Sequence, residues 1–270
     1  MKIGNRTFAD HGKTYVMGIL NVTPDSFSDG GKFTGMDEAL YHVEEMIKDG
    51  MDLLDIGGES THPGYTMIPD IVEINRLLPV LHAVKERFDI PISVDTYKAG
   101  VAQTVIAEGA DLINDIWGLK HDPRMAEVIA EGNVPCCLMH NRETAQYQNF
   151  LREVLSDLEE SMAIAEKAGI PKEHIILDPG IGFGKTTEQN LVLIKHMNQL
   201  EEFGCPMLLG TSRKSVIGNT LNLPVDEREE GTVATTVMAV LAGYSWVRVH
   251  NVKANRRAIS MVESIMESDQ

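Results

Sequence analysis

Cysteine is scarce in this chain of 270 residues, which contains only Cys136, Cys137 and Cys205. An odd count without a C-x-x-C pair argues against a disulfide framework. Because neighbouring residues on a strand point to opposite faces, Cys136 and Cys137 cannot bind one metal ion together. Sparse cysteines are typical of a reducing cytosol, and we therefore expect a cytoplasmic protein.

Positive charge is also in short supply. The 24 Lys and Arg residues are outnumbered by 40 Asp and Glu residues, which gives a formal net charge of −16. This balance argues against a broad surface for nucleic acid or anionic membrane, because such surfaces need clustered Lys and Arg. We therefore expect small-molecule partners, and any anionic substrate must be held by a local cluster of cations.

Long apolar runs are lacking as well. The longest apolar stretch, 233–249, contains Thr235, Thr236 and Arg248 and is too short to span a bilayer. The first residues, MKIGNRTFAD, lack the apolar segment of a signal peptide. With 43% hydrophobic and 24% charged residues, the composition is that of an ordinary soluble globular protein.

Short β-type runs alternate with amphipathic helical patterns along the chain. The runs are nearly continuously apolar, as expected of parallel strands covered on both faces: TYVMGIL, MDLLDIGG, PISVDT, DLINDI, VPCCLMH, HIILDPG, PMLLGT and WVRVHN. Helices are predicted near residues 37–49, 70–88, 98–108, 123–131, 149–168, 189–203, 231–243 and 253–266. Eight such β/α units predict an α/β fold, a single-domain (β/α)8 TIM barrel over residues 1–270. A doubly wound open sheet is the alternative.

Polar side chains follow the ends of these strands. They are Asn21, Asp55, Glu59, Ser60, Thr61, Asp95, Asn114, Asp115, His140, Asn141, Asp178, Thr211, Ser212, Arg213, Lys214, Arg248 and His250. In a TIM barrel the carboxyl ends of the strands meet at one rim, so we expect one polar pocket there. A single Asp or Asn in such a place is more often a turn former or a helix cap, and we expect this of Asp55 and Asp115.

Several of these residues are hydrogen-bond acceptors. The carboxylates of Asp95 and Asp178, with the amide of Asn114, suit the edge of a heterocycle that is rich in N–H groups. Asn21 offers a neutral oxygen ligand for Mg²⁺, which keeps several waters and bridges substrate phosphates.

The remaining residues of interest are cations and donors. Lys214, Arg248 and His250 follow the last strands and suit phosphate or pyrophosphate oxygens. Acceptors on one side and cations on the other predict a site for a nitrogen heterocycle that carries a phosphate group.

Glycine is concentrated in three connections. Residues 22–35 and 57–69 are long for a β-to-α connection and are either binding loops or ordinary surface loops. Residues 180–186 read GIGFGKT and are similar to a P-loop, but Pro179 stands where that motif needs its first glycine. The motif therefore excludes an ATPase, and we expect its glycines to permit close backbone approach to a ligand and to present Phe183 as an apolar wall.

An ordered series of short motifs runs from the first strand to the last. They are GILNVTPDSFSDGG at 18–31, DIGGEST at 55–61, SVDT at 93–96, ND at 114–115, DPGIGFG at 178–184, SRK at 212–214 and RVH at 248–250. Together they resemble the signatures of the dihydropteroate synthase family. The resemblance implies a barrel transferase of folate biosynthesis and a target of sulfonamides. Such an enzyme joins 6-hydroxymethyl-7,8-dihydropterin pyrophosphate to 4-aminobenzoate, giving 7,8-dihydropteroate and pyrophosphate.

The resemblance also implies a role for individual residues. The pterin ring is expected deep in the barrel, against Asp95, Asn114, Asp178 and Lys214. Mg²⁺ is expected on Asn21, and the pyrophosphate on Thr61, Arg248 and His250. The aminobenzoate is expected nearer the mouth, against Phe183, Pro63 and the stem of Lys214, with its carboxylate near Ser212.

The reaction implied by the resemblance needs no protein nucleophile, because the C–O bond breaks ahead of attack by the amine. Asp95 is expected to stabilise the cation that develops on the pterin. Arg248 and His250, together with Mg²⁺, are expected to stabilise the departing pyrophosphate. Lys214 completes the set of residues expected to act in catalysis.

One position departs from the family pattern. His62 stands where the family commonly has Arg before Pro-Gly. A neutral imidazole is a weaker anion contact than a guanidinium, and its charge varies near neutral pH. The hypothesis is therefore weaker or more pH-dependent handling of pyrophosphate, and the alternative is that His62 points to solvent.

Two other function classes remain as alternatives. One is a pterin-binding methyltransferase barrel, similar to the methyltetrahydrofolate domain of cobalamin-dependent enzymes, and the other is a pterin-binding protein without catalytic activity. Neither needs the cation clusters at 212–214 and 248–250. The family also implies a homodimer, in which segment 231–243 packs against a second subunit rather than only against its own barrel.

Overall fold

The barrel is closed and parallel. In a computed structural model, residues 1–22, 32–59 and 66–268 are described. The barrel strands are β3 (Tyr15–Asn21), β4 (Leu53–Gly57), β5 (Ile92–Asp95), β6 (Leu112–Asp115), β7 (Cys136–Met139), β8 (Ile175–Asp178), β9 (Leu208–Leu209) and β10 (Trp246–Val249), after a hairpin of β1 (Lys2–Ile3) and β2 (Arg6–Thr7). Their order is β8-β7-β6-β5-β4-β3-β10-β9. A parallel bridge from Leu177 to Met207 joins the two edges, so the predicted (β/α)8 TIM barrel is confirmed and the open-sheet alternative is wrong.

Helices cover the outside of the barrel. Within the described ranges they are α1 (Lys32–Lys48), α2 (Asp70–Arg87), α3 (Ala99–Ala107), α4 (Met125–Gly132), α5 (Phe150–Ala168), α6 (Thr187–Lys195), α7 (Ser215–Leu221), α8 (Glu229–Leu241) and α9 (Val252–Glu267). Their apolar faces pack on the strands, as Leu77, Leu81 and Val84 of α2 do. The prediction of one helix over 189–203 is wrong in detail, because α6 ends at Lys195 and a 3-10 helix follows over Met197–Phe203.

Two elements were not predicted. The short helix α7 begins directly after Lys214, and with 7 residues it is too short for a clear apolar period. The β1–β2 hairpin is shorter still, but Ile3 and Phe8 beside it are buried. The ring of Phe8 lies 4.9 Å from the ring of Trp246, at the amino end of the barrel. This apolar contact closes that end and leaves the carboxyl ends of the strands for a ligand.

The strand side chains divide between two cores. Cys136 belongs to the core between the strands and the helices, whereas Cys137 belongs to the core inside the barrel. This confirms that the two neighbouring thiols face opposite ways. In the described part of the chain, no helix is both long and apolar enough to cross a membrane.

Candidate functional site

A cavity of about 380 Å³ opens at the carboxyl ends of the strands. It is lined by Ile19, Asn21, Glu59, Asp95, Asn114, Ile116, Met139, Asp178, Gly182, Phe183, Gly210, Ser212, Arg213, Lys214, Ser215, Val225, Arg248 and His250. The predicted polar pocket therefore exists, and it contains Asn21 and all the other predicted site residues except two. Those two, Thr61 and Pro63, lie outside the described residues, as does His62.

The floor of the cavity is an ion-paired cluster. Arg248 donates from Nε to Oδ2 of Asp55 at 2.6 Å and from Nη2 to Oδ2 of Asp95 at 2.9 Å. Asp55 is fully buried and also accepts from the hydroxyl of Ser93 at 2.5 Å and from the amide of Asn114 at 3.3 Å. Asp55 thus positions Arg248, which agrees with the expectation that this carboxylate is structural.

Only one of the two carboxylate oxygens of Asp95 has a hydrogen-bond partner among the described residues. Its Oδ1 is buried and has no hydrogen-bond partner among the described residues. Burial raises the pKa of Asp95 to about 7, and repulsion by Asp55 acts in the same direction while Arg248 opposes both. A buried acceptor without a donor is costly, so this oxygen is a natural place for an N–H group of a ligand.

The opposite wall combines a cation, an aromatic ring and a second buried carboxylate. Lys214 donates from Nζ to the carbonyl of Ile181 at 2.6 Å and lies 4.7 Å from the centre of the Phe183 ring. Asp178 accepts from the amide of Gly180 at 2.7 Å. Burial lowers the pKa of Lys214 to about 8 and raises that of Asp178, although the two charges attract each other. Both groups are therefore held in place in the lining of the cavity.

Ser212 and His250 form a hydrogen-bonded pair. The hydroxyl of Ser212 lies 2.9 Å from Nδ1 of His250 and accepts from its backbone amide at 3.1 Å. Burial lowers the pKa of His250 to about 4, helped by the nearby charge of Arg248. The imidazole is therefore neutral at pH 7. In the tautomer in which the hydroxyl donates to Nδ1, the hydrogen of the ring is on Nε2, and Nε2 can then act as a donor.

Asp115 is structural, as expected. Its carboxylate accepts from the amides of Trp117 and Leu119 at 2.8 and 2.7 Å, and so it stabilises the turn after β6. Burial raises its pKa to about 6.

A buried network beside the cavity was missed by the sequence analysis. Lys98, just after β5, donates to the carboxylates of Glu59 and Glu73 and to the carbonyl of Ile68. Tyr97 donates its hydroxyl hydrogen to the other oxygen of Glu59 at 2.8 Å. Two signals could have indicated it: Glu59 is among the predicted polar residues at the strand ends, and Lys98 is three residues after Asp95 in the sequence.

Apolar walls were missed as well. Ile19, Ile116 and Met139 line the cavity. In the sequence they cannot be told from core residues, because each belongs to a buried strand or lies just after one.

Among the described residues, Asn21 is the predicted ligand for magnesium. Asn21 is exposed at the end of β3 and lines the cavity. The described residues contain no cluster of three or more His, Cys, Asp or Glu that could hold a metal ion. The neutral oxygen of Asn21 is consistent with a Mg²⁺ ion that is held mainly by water and substrate phosphates.

The fold and the cavity define a (β/α)8 barrel that binds a small polar ligand at the carboxyl ends of its strands. A family model described as "Pterin binding enzyme" matches residues 17–250. A curated dihydropteroate synthase of Clostridium beijerinckii is 57% identical, and the match covers 98% of this chain and 99% of that protein. The chain belongs to the pterin binding enzyme family and, within it, to the dihydropteroate synthases.

Solved structures agree with this assignment. The crystal structure of dihydropteroate synthase from Clostridium difficile in the presence of pteroic acid has a TM-score of 0.94 and 44% sequence identity, and the match covers 97% of this chain and all of that chain. The Yersinia pestis dihydropteroate synthase with a sulfonamide drug has a TM-score of 0.92 and 39% identity, with 99% of each chain covered.

Proposed function

We propose that this enzyme joins 6-hydroxymethyl-7,8-dihydropterin pyrophosphate to 4-aminobenzoate, releasing pyrophosphate and giving 7,8-dihydropteroate. The observation that carries the proposal is the unpartnered buried oxygen of Asp95 in the same cavity as the cations Lys214 and Arg248. The cavity thus offers carboxylate oxygens to the N–H donors of a ligand and cations to its ring acceptors and phosphate oxygens, with Arg248 beside Asp95 and Lys214 near Asp178. The cavity volume of about 380 Å³ is in the range usual for small-molecule sites.

The pterin ring is proposed to lie deep in the barrel. Asp95 and Asp178 accept hydrogen bonds from its N–H groups, and Asn114 contributes both a donor and an acceptor. The strand register supports this arrangement, since it places Asp95 beside Asn114 on neighbouring strands. Lys214 donates to the ring acceptors, because its ammonium lies on the opposite wall near Asp178.

The pyrophosphate is proposed to bind where the cavity carries donors. Arg248, held by its two carboxylates, and the Nε2–H of His250 contact its oxygens, together with Thr61. Asn21 would help to hold Mg²⁺, which would supply additional charge stabilisation of the leaving group. Arg248 stabilises that charge from a fixed position, which requires little reorganisation during the reaction. As the C–O bond breaks, ionised Asp95 stabilises the positive charge that develops on the pterin.

The second substrate is proposed to lie at the mouth of the cavity. The benzene ring of 4-aminobenzoate contacts Phe183, Pro63 and the aliphatic stem of Lys214, with its carboxylate near Ser212. Sulfonamides resemble 4-aminobenzoate in shape and charge, and we propose that they compete for the same place, in line with the drug complex of the Yersinia pestis relative.

A homodimer is proposed through the last helices. Helices α8 and α9 pack against each other and expose large apolar side chains on their outer faces, namely Met238, Leu241, Met261, Ile265 and Met266. Leu241 is 62% exposed, which is a high value for leucine and supports contact with a second copy. Analytical ultracentrifugation is expected to show a dimer for the wild type and a monomer for Leu241→Glu.

The extent of the domain and the location of the protein are proposed as well. The whole chain, 1–270, is proposed to act as one pterin-binding domain, because the amino-terminal hairpin and α9 both pack against the barrel. A cytoplasmic location is proposed as well, supported by three buried free thiols, which suit a reducing compartment.

Release of pyrophosphate tests the function. With Mg²⁺ and both substrates, pyrophosphate is expected only when 4-aminobenzoate is present, and it is expected to disappear in Lys214→Ala. Lys48→Ala, which removes an exposed ammonium on α1, is the matched control and is expected to retain activity. Tight pterin binding without turnover would instead support a methyltransferase-type barrel or a binding protein without catalytic activity.

A further inference from the structure

The glycine-rich connection after β8 is held from within by a lysine. Nζ of Lys185 donates to the carbonyls of Gly180 and Phe183 at 2.8 and 2.9 Å and lies 2.7 Å from Nδ1 of His140. In its protonated form Lys185 has three N–H donors, and these partners use all of them. Burial lowers the pKa of Lys185 to about 7. In a P-loop the corresponding lysine reaches out to phosphates, whereas here it points back into its own connection.

The imidazole of His140 links Lys185 to helix α5. His140 is fully buried, and its Nε2 lies 2.9 Å from Oδ2 of Asp157 on α5. Because a carboxylate accepts only, Nε2 carries the hydrogen and Nδ1 is free to accept from Lys185. Burial lowers the pKa of His140 to about 4, which agrees with a neutral ring. Arg142 donates to both oxygens of Asp157, at 2.6 and 3.1 Å, and so anchors the end of the chain of contacts.

The glycines allow this connection to lie close against the end of β7. Gly180 has a φ of +71°, and a Cβ at that position would lie 1.8 Å from the carbonyl oxygen of His140. The amide of Gly182 donates to Oδ1 of buried Asn190 at 2.8 Å. The amide of Gly180 donates to Asp178. Both amides therefore donate to side chains of the protein itself. The repeated glycines are accounted for by this close packing, and no bound nucleotide is needed to explain them.

The glycine-rich connection after β8 also forms part of the cavity wall. Phe183 lines it and contacts Lys214 through its ring, while its backbone carbonyl is held by Lys185. Lys185 is itself absent from the described lining of the cavity. Lys185 therefore affects a ligand indirectly, through the backbone that carries Phe183 and through its charge near Asp178.

We propose that Lys185 is a positioning residue for the 4-aminobenzoate part of the site. The inference rests on the proposed function, because it assigns Phe183 to the second substrate. Loss of the ammonium leaves two carbonyls and Nδ1 of His140 without their donor, so the backbone at Phe183 loses its anchor. Asp95 keeps its own contacts, whereas Asp178 is linked to this connection through the amide of Gly180. Binding of the first substrate is therefore expected to be affected less than binding of the second.

The test compares Lys185→Met with Lys185→Arg. The first keeps the length of the side chain without a donor, and the second keeps charge and donors. The KM for each substrate is measured with the other at saturation. In Lys185→Met the KM for 4-aminobenzoate is expected to rise about tenfold, which corresponds to the loss of one hydrogen bond to a charged group. The KM for the pterin substrate is expected to change by less than about threefold, and Lys185→Arg is expected to restore much of the difference.

Arg256→Met is the matched control. Arg256 donates to the carbonyls of Gly50 and Thr14 and pairs with Asp52, outside the described lining of the cavity. It is therefore a cation with a similar structural role, and its loss is expected to lower Tm without changing the ratio of the two KM values. If Lys185→Met lowered Tm alone, or raised both KM values equally, the inference would be overturned.

Binding of a ligand provides a test that does not depend on turnover. Binding of pteroic acid is titrated in parallel and is expected to weaken in Lys185→Met, so the inference is tested even if the wild type shows no turnover. A wild type with neither turnover nor pteroic acid binding would overturn both the proposed function and the inference.

A second variant covers the case in which Lys185→Met does not fold. Asp157→Asn weakens the contact of Asp157 with His140, the partner of Lys185, and is expected to shift the KM ratio in the same direction. An unchanged ratio in that variant would count against the inference.

Discussion

Arg248 on β10 and Asp95 on β5 form an ion pair across the barrel, with 2.9 Å between Nη2 and Oδ2. Strands β3 and β4 lie between them in the sheet, so the pair does not join neighbouring strands. It fixes Oδ2 of Asp95 and leaves Oδ1 without a partner within the described residues. The pair thereby determines which oxygen of the carboxylate is available to a ligand.

Asp95→Asn is expected to lower kcat/KM by about 100-fold, equivalent to about 3 kcal/mol. The asparagine amide has the same shape as the carboxylate but carries no charge. It therefore accepts a weaker hydrogen bond from the ligand and cannot stabilise a cation on the pterin. Steady-state kinetics with both substrates measures the effect, and Glu131→Gln on the exposed face of α4 is the control. Wild-type kcat/KM in Asp95→Asn would remove Asp95 from the mechanism.

The pH profile of kcat/KM is expected to be bell-shaped with its maximum between about 7 and 8. Asp95, with a pKa of about 7, must be ionised to stabilise a cation, so activity rises as the pH increases through that value. Lys214, with a pKa of about 8, must be protonated to donate to the ligand, so activity falls above that value. Asp95→Asn is expected to remove the dependence on the acidic side, and a persisting acidic limb would assign it to another group.

His62 is expected to contribute a separate dependence on pH. An ordinary imidazole with a pKa of about 6.5 loses its charge as the pH rises, so its contact with pyrophosphate weakens toward neutral pH. His62→Arg keeps the charge at every pH tested and is expected to lower the KM for the pterin substrate at high pH. Profiles that superimpose for wild type and His62→Arg would support a side chain that points to solvent.

The polar residues at the strand ends were predictable because the barrel brings all carboxyl ends to one rim. Asp95, Asn114, Asp178 and Lys214 needed only this rule to be placed in one pocket. The pairing of Arg248 with Asp55 could not be predicted, since the residues are 193 positions apart and no local pattern joins them. Their contact depends on the order and register of the strands.

The network of Lys98 was missed for a similar reason. In sequence it is an ordinary charged residue at the start of a helix, and only the folded chain brings Glu59, Glu73 and Ile68 around it. The hairpin of β1 and β2 escaped prediction because two-residue strands have no measurable period. Sequence patterns thus locate strand ends well and long-range partners poorly.

Acidification is expected to destabilise the fold through two buried histidines. Burial lowers the pKa of both His140 and His250 to about 4, whereas an unfolded histidine titrates near its ordinary value of about 6.5. The unfolded state therefore binds more protons between these values, and stability is complete above 6.5 and declines as the pH falls toward 4. Each group is expected to cost about 2 kcal/mol between pH 7 and pH 5.

Urea denaturation at the two pH values measures this loss. His250→Gln is expected to reduce the difference, while His82→Gln, at a half-exposed position, is expected to leave it unchanged. An equal difference in all three proteins would assign the acid sensitivity to other groups.

Lys98→Met is expected to lower the free energy of unfolding by about 3 to 5 kcal/mol. The side chains of Lys98, Glu59 and Glu73 are 6%, 3% and 1% exposed, so removal of the ammonium leaves two carboxylates buried without their cation. Lys48→Met removes an ammonium that is 58% exposed and pairs with Glu44 and Glu45, and it is expected to leave the free energy of unfolding nearly unchanged. Urea denaturation of the two variants at pH 7 provides the comparison. Burial raises the pKa of Glu73, so Lys98→Met is also expected to recover part of its stability as the pH is lowered. A variant that is destabilised equally at pH 7 and at acidic pH would show that packing rather than charge is responsible.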